Sequence, residues 1–392
     1  MVDTINIRIP NTIIGLGAIS NIGDIVKGFS PSKILILTDA GIMKSGIIEA
    51  VKSPLEKAGY KFDIFDGCVS DPTISSVEKL CKKVKAAKYD LLIGVGGGST
   101  MDATKIASQI AANDGINIYD LLGDKVVAKV IPKILVPTTA GTGSEWSSVA
   151  MVSDEKDKMK KKGVISVKNL PDTVIIDAEL MRNLPQIVTR DTAMDALSHA
   201  IEAYTSCNAN VISDMFAITA LKLICDNLPM AYSKGNKNIE ARYNLAIAAS
   251  FAMYAASISG VSIGHFMGEP VQARTHISHG QACALMLPYA MEFHLVAEPA
   301  KFAKIAEIMG EVVNNLSQQN AAAKSVDAIS RLCKAMGMPQ TLSDVGIKET
   351  DIPEMVKEMH AEKDFLISLW NPREVSPEDT TRIYKIALRG RG

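Results

Sequence analysis

The chain has no long apolar run, no excess of one charge, no paired-cysteine motif, and no internal repeat or low-complexity stretch. Each absence excludes something. No segment approaches the ~18 uninterrupted apolar residues of a membrane span. With 42 basic and 43 acidic residues the net charge is −1, which argues against nucleic acid or an acidic membrane surface as a partner. The N-terminal MVDTINIRIPNTIIG lacks the basic region and apolar run of a secretory signal. Six cysteines (Cys68, Cys81, Cys207, Cys225, Cys283, Cys333) form no C-x-x-C pair and read as buried free thiols of a reducing compartment. The expectation is a soluble, cytoplasmic protein. Its 392 residues and 47% hydrophobic content suffice for two domains with ordinary cores.

Up to about Asp177, short apolar runs alternate with helical patterns. KILILT (33–38), KFDIFD (61–66), DLLIGV (90–95), KILVP (133–137) and TVIID (173–177) read as strands. Between them lie helical stretches such as IMKSGIIEAVKSPLEKAGY, SSVEKLCKKVKAAK and TMDATKIASQIAAN. This alternation predicts a doubly wound, Rossmann-like parallel sheet, with functional loops at the carboxyl ends of its strands. The lysine-rich EKDKMKKK reads as a connecting segment. Beyond about Leu184 the strand signals stop and helical patterns run to the end, from TAMDALSHAIEAY to EDTTRIYKIALRG. The organisation expected is an α/β domain over 1–185 and an all-α domain over 186–392.

Chemistry concentrates in two places. In RDTAMDALSHAIEAY, Asp195 and His199 stand in D-x-x-x-H spacing, which puts carboxylate and imidazole on one helix face. That is half of a metal site. Three of the six histidines fall in GHFMGEPVQARTHISHG (264–280), where His265 and His279 are candidates for the other half. In the first half, GVGGGST follows a strand and opens a helix. Gly96, Gly97 and Gly98 let a backbone approach a pyrophosphate at a helix N-terminus; with Ser99 as cap they serve equally as a tight strand-to-helix turn. Asp39 ends KILILT, where a carboxylate accepts ribose hydroxyls and repels a 2′-phosphate, or simply starts a turn.

Asp195, His199, His265 and His279 match in type and spacing the metal ligands of the iron-containing (group III) alcohol dehydrogenases. GVGGGSTMDATK (94–105) resembles that family's pyrophosphate loop, with Asp102 close behind, and PTTAGTGSEW (137–146) its substrate loop. The closing WNPREVSPEDTTRIYKIAL is similar as well, so the resemblance spans nearly the whole chain. It implies a dehydroquinate synthase-like architecture and places Thr138, Thr139 and Thr142 on the nicotinamide side. Lys161 takes the family's phosphate-side lysine, with Lys160 and Lys162 as alternatives, and Asp39 goes with NAD rather than NADP. The chain departs from the family where H-x-x-x-H-P-L-G is usual: it reads His265-Phe-Met-Gly-Glu269-Pro270-Val271-Gln272. Glu269 thus stands where a histidine of the proton route is expected. It either relays protons or hydrogen-bonds His265.

The resemblance implies hydride transfer between NAD(H) and a small alcohol or aldehyde, with Fe²⁺ or Zn²⁺ polarising the substrate oxygen. A homodimer or larger homo-oligomer goes with it. Arg274 and His276 admit recognition of a charged group, which keeps a polyol-phosphate dehydrogenase of the same superfamily as a rival. A metal- or nucleotide-binding protein without turnover is the non-enzymatic alternative.

Overall fold

The computed structural model describes residues 7–391 except positions 158 and 276, with side chains at all of these but 362–366. The chain divides into two compact units, Met1–Thr139 with Gly143–Asn183, and Ala140–Thr142 with Leu184–Gly392.

Among the described residues the first unit holds eight strands: β1 (Asn11–Ile14), β2 (Ile34–Asp39), β3 (Phe62–Cys68), β4 (Leu91–Gly96), β5 (Lys133–Pro137), β6 (Val149–Asp154), β7 (Lys160–Ile165) and β8 (Thr173–Ile176). Six of them form a parallel sheet in the order β1-β8-β5-β4-β2-β3. The inner strands β2, β4, β5 and β8 are almost wholly buried and largely apolar because both faces are covered, whereas the edge strands β1 and β3 are partly exposed. Along β2, Leu35 and Leu37 enter one core while Ile34 and Ile36 enter the other, following the two-residue period of a strand. From β2 the chain steps outward to β3, then returns to β4 on the opposite side of β2 and continues to β5. The winding direction therefore reverses between β2 and β4, the place where open α/β sheets bind ligands. Asp39 ends one of these strands and Gly96 the other.

Three elements differ from the sequence reading. The helix expected over IMKSGIIEAVKSPLEKAGY is two helices, Ala40–Ser45 and Glu49–Lys57, separated at Gly46 with φ of 76°. The four-residue β1 adds an edge strand. EKDKMKKK is not a plain connection: Lys160, Lys161 and Lys162 open β7, which pairs antiparallel with β6.

The second unit is helical. Its site is carried by three helices, Gln186–Thr205, Ile263–Thr275 and His279–His294. The first is buried on nearly every side, including Asp191, Asp195, His199 and Glu202. Interior charges are costly unless paired, so this helix marks the functional centre. A core of Ile263, Met267, Met286, Met355 and Tyr384 packs the last two of these helices against Ile352–Trp370 and Pro377–Arg389. No single helix among the described residues is long and apolar enough to cross a membrane.

Candidate active site

On the helix Gln186–Thr205, Asp195, His199 and Glu202 follow at intervals of four and three residues and share one face. The helix His279–His294 starts at a capping box, with Ser278 Oγ accepting from Gln281 N at 3.2 Å and Gln281 Oε1 from Ser278 N at 3.3 Å. Its second residue must be glycine: a Cβ on Gly280 would lie 1.9 Å from Asp191 O. That close approach sets His279 beside Asp195, with Nε2 to Oδ1 at 3.7 Å. His265 Nε2 is 3.7 Å from the same oxygen.

Ligand atoms of Asp195, His265, His279 and Cys283 all lie within 4.8 Å of one another. His199 is adjacent to this group, its ring stacked on that of His265 at 4.5 Å between centroids. Among the described residues, Asp195 Oδ1, His199 Nδ1 and His265 Nε2 are buried with no hydrogen-bond partner. Buried polar atoms are normally satisfied, so these partnerless atoms, Asp195 Oδ1 and His265 Nε2 lying 3.7 Å apart with the His199 ring stacked beside them, fit a group that binds a cation.

The electrostatics agree. Burial alone would raise the Asp195 carboxyl, but the imidazoles of His199, His279 and His265 hold it well below the usual carboxylate range. Burial pushes the His199 imidazole down to about 4, which leaves it neutral, as a metal ligand must be. Burial also opposes a charge on His265, yet Cys283, Glu202 and Asp195 carry it well above the usual imidazole range. The surroundings thus favour positive charge at this point.

Two residues escaped the sequence reading. Glu202 Oε2 lies 2.5 Å from His265 Nδ1 and 3.0 Å from Ser262 N, and Oε1 accepts from His265 N at 3.2 Å. The contact once open to Glu269 is therefore made by Glu202. Cys283 stands four residues after His279, the same helical spacing that singled out Asp195 and His199. Glu269 lies one turn after His265, half-buried, where its charge helps hold up the phenol of Tyr384 behind the larger effect of burial. Arg274 is engaged by Glu358 through bonds of 2.7 and 3.0 Å and by Pro270 O at 3.1 Å. His276 lies outside the described residues.

In the first unit, Gly97 precedes the helix Gly98–Ala111 and provides no side-chain cap. A Cβ on Gly96 would meet Thr100 at 2.6 Å, so that glycine is required by packing. On Gly97 the nearest atom would be Thr139 Oγ1 at 3.4 Å. Thr138 N donates to Gly96 O at 3.0 Å, which ties the threonine loop to the glycine loop. Ser99 Oγ accepts from Asp71 N at 3.2 Å, and Lys161 Nζ is 3.0 Å from Asp71 Oδ1. Lys160 and Lys162 pair with Asp157, and Lys162 also with Asp154, within their own hairpin. Lys161 thus reaches Asp71, whose backbone N–H binds Ser99 next to the glycine loop.

Asp102 has both oxygens engaged internally, Oδ1 by Ser144 Oγ at 2.6 Å and the buried Lys105 at 3.3 Å, Oδ2 by Met151 N at 3.0 Å. It braces the TTAGTGSEW loop from below. Asp39 Oδ1 accepts from Gly41 N at 2.8 Å and Ile42 N at 3.0 Å, capping the helix that follows β2. Thr142 belongs to the second unit with Ala140 and Gly141.

Comparison with known proteins agrees with this arrangement. Residues 10–178 match the family profile described as iron-containing alcohol dehydrogenase, and 189–388 its C-terminal counterpart. The chain is 37% identical over 380 residues to the NAD-dependent methanol dehydrogenase of Bacillus methanolicus, covering 97% of this chain and 98% of that one. It is 36% identical to the 1,3-propanediol dehydrogenase of Citrobacter freundii, covering 97% and 98%. The crystal structure of a 1,3-propanediol oxidoreductase superposes with a TM-score of 0.93 at 33% identity, over 98% of this chain and 100% of that one. The chain belongs to the iron-containing alcohol dehydrogenase family. It is accordingly an enzyme, an oxidoreductase of the alcohol dehydrogenase kind.

Proposed function

We propose that the protein interconverts a small alcohol and its aldehyde with NAD(H), using one divalent ion held by Asp195, His199, His265 and His279. The observation that carries this reading is that Asp195 Oδ1, His199 Nδ1 and His265 Nε2 are buried without partners, the first and last 3.7 Å apart and the His199 ring stacked on that of His265. When bound, the ion would polarise the substrate oxygen while the nicotinamide exchanges a hydride.

The protein's own residues supply orientation. Glu202 accepts the Nδ1 proton of His265, which turns the Nε2 lone pair toward Asp195. Gly97, Gly98 and Ser99 present the helix N-terminus to a pyrophosphate, with Lys161 alongside. Asp39 keeps Oδ2 for a ribose while Oδ1 caps its helix. Glu269, one turn from His265, takes a proton during alcohol oxidation and returns it in reduction. Iron is the metal favoured by family membership, zinc by general affinity order. Relatives act on methanol and 1,3-propanediol according to their names, so short unbranched alcohols are the substrates to try first. The anionic-substrate alternative loses Arg274, which is tied to Glu358. Homo-oligomeric assembly and a cytoplasmic location, consistent with six free thiols, complete the reading.

The deciding experiment strips the protein of metal, restores Fe²⁺ or Zn²⁺, and follows NADH absorbance with a panel of C1–C4 aldehydes. Metal-dependent NADH oxidation is expected. Turnover that is indifferent to metal, or absent with every aldehyde and alcohol, would defeat the proposal.

A further inference from the structure

We propose that Cys283 is a thiolate donor to the ion, so that this chain's centre combines carboxylate, imidazole and sulfur. The inference rests on the metal reading above and deepens it. His279 and Cys283 stand one turn apart on one face of the helix His279–His294. Cys283 Sγ lies 3.5 Å from His279 Nε2. Asp195, His265, His279 and Cys283 are the described residues whose ligand atoms gather within 4.8 Å. Donors bound to one ion at about 2.0–2.3 Å lie within roughly 4 Å of one another, so closing the group needs shifts of only about 1 Å.

A buried cysteine usually behaves as a small apolar residue. Cys333 does so, with its thiol directed at the carbonyl of Ala284 at 3.7 Å. Cys283 has a different environment. It is fully buried, but it faces Asp195 Oδ1 and His265 Nε2, which lack hydrogen-bond partners on side chains only 5% and 7% exposed. Unsatisfied ligand atoms are thus aimed at the space the thiol borders.

Coordination replaces the S–H bond by an S–metal bond, with the proton leaving to solvent and no change of oxidation state. A thiolate is a soft ligand and shifts preference toward zinc and cobalt over harder ions. It also adds a negative charge, which weakens the ion's pull on a substrate oxygen. This chain should therefore hold zinc or cobalt more firmly than a centre of carboxylate and imidazole alone.

The test titrates Co²⁺ into the metal-stripped, full-length protein and records its absorption spectrum. Visible d–d bands report an ion in the site, and a near-ultraviolet sulfur-to-cobalt band reports the thiolate. Both are expected in the wild type, with the near-ultraviolet band lost and the visible bands kept in Cys283→Ser. Visible bands without the sulfur band in the wild type would overturn the thiolate and leave the metal reading standing. A sulfur band that survives in Cys283→Ser would overturn it too, by assigning the band to another cysteine. The absence of every band would remove both proposals. X-ray absorption on the zinc-loaded wild type needs no variant; one sulfur scatterer at about 2.3 Å is expected, and none would refute the inference.

Discussion

Glu202 gathers the backbone N–H groups of Ser262 and His265 and the ring of His265 onto one carboxylate. Glu202→Gln keeps the volume but cannot hold the imidazole proton as firmly. Partners of this type are typically worth 10–100-fold in metal affinity, and a loss of that size is expected by competition with a chelator, with the rate per bound ion little changed. Unaltered affinity would show that Glu202 only ties down the turn. Glu269→Gln should have the opposite profile, full metal content with a kcat lowered by about 10²–10⁴ and an altered pH profile. An unchanged kcat and pH profile would remove Glu269 from the proton route. A sequence reader sees Glu202 as one acid within AIEAY and cannot tell that it is buried. Cys283 was readable by the same four-residue spacing that exposed Asp195 and His199, yet cysteine in an apolar helix normally means packing.

Strand ends and helix starts carry the proposed nucleotide side, and two contrasts separate packing from binding. Gly96→Ala would press a Cβ into Thr100, whereas Gly97→Ala meets nothing closer than 3.4 Å. The first should destabilise the fold, by about 1–3 kcal/mol as overpacking usually does. The second should melt like wild type but raise the KM for NADH severalfold. If both variants bind NADH normally, the glycine loop is a turn and nothing more. At the end of β2, Asp39→Asn preserves the cap on Gly41 and Ile42 while removing the charge. Activity with NADPH relative to NADH should rise; no change would confine Asp39 to capping, a role whose loss to Ala costs about 1 kcal/mol. The apolar runs made β2, β4, β5 and β8 legible because they are buried on both faces, and the edge strand β3 by its alternation of aromatic and aliphatic residues with Asp63 and Asp66. The four-residue β1 and the lysine-bearing β7 were not, since a short edge strand and a charged hairpin lack that signal. Lys161 became distinguishable from its neighbours only once Asp154, Asp157 and Asp71 were seen to sort the lysines among themselves.

At the scale of the whole molecule, the order of units, parallel sheet first and helices after, follows directly from where the strand patterns stop. His279 was grouped with Asp195 through its resemblance to the family's ligand set, but the physical cause of their approach, Gly280 packing closely against Asp191 O, appears only in the fold. An ion binding only the folded helical unit must stabilise it, by about 2.7 kcal/mol at a free concentration of 100 times Kd. Calorimetry should accordingly show a transition that falls on adding a chelator and recovers with Zn²⁺ or Fe²⁺. A melting profile indifferent to chelation would mean that the helical unit holds no ion.

The donors run from Asp195 on one helix to His279 and Cys283 on another, and this separation has a consequence for biogenesis. A nascent chain that has reached His265 offers one carboxylate and two imidazoles but lacks the residues that close the group. At roughly 5–20 residues per second, several seconds of synthesis lie between the end of the sheet unit and His279. Under the proposed function, the newborn sheet unit can therefore meet NAD(H) before the donor group is complete, and metal supply acts on chains already past His279.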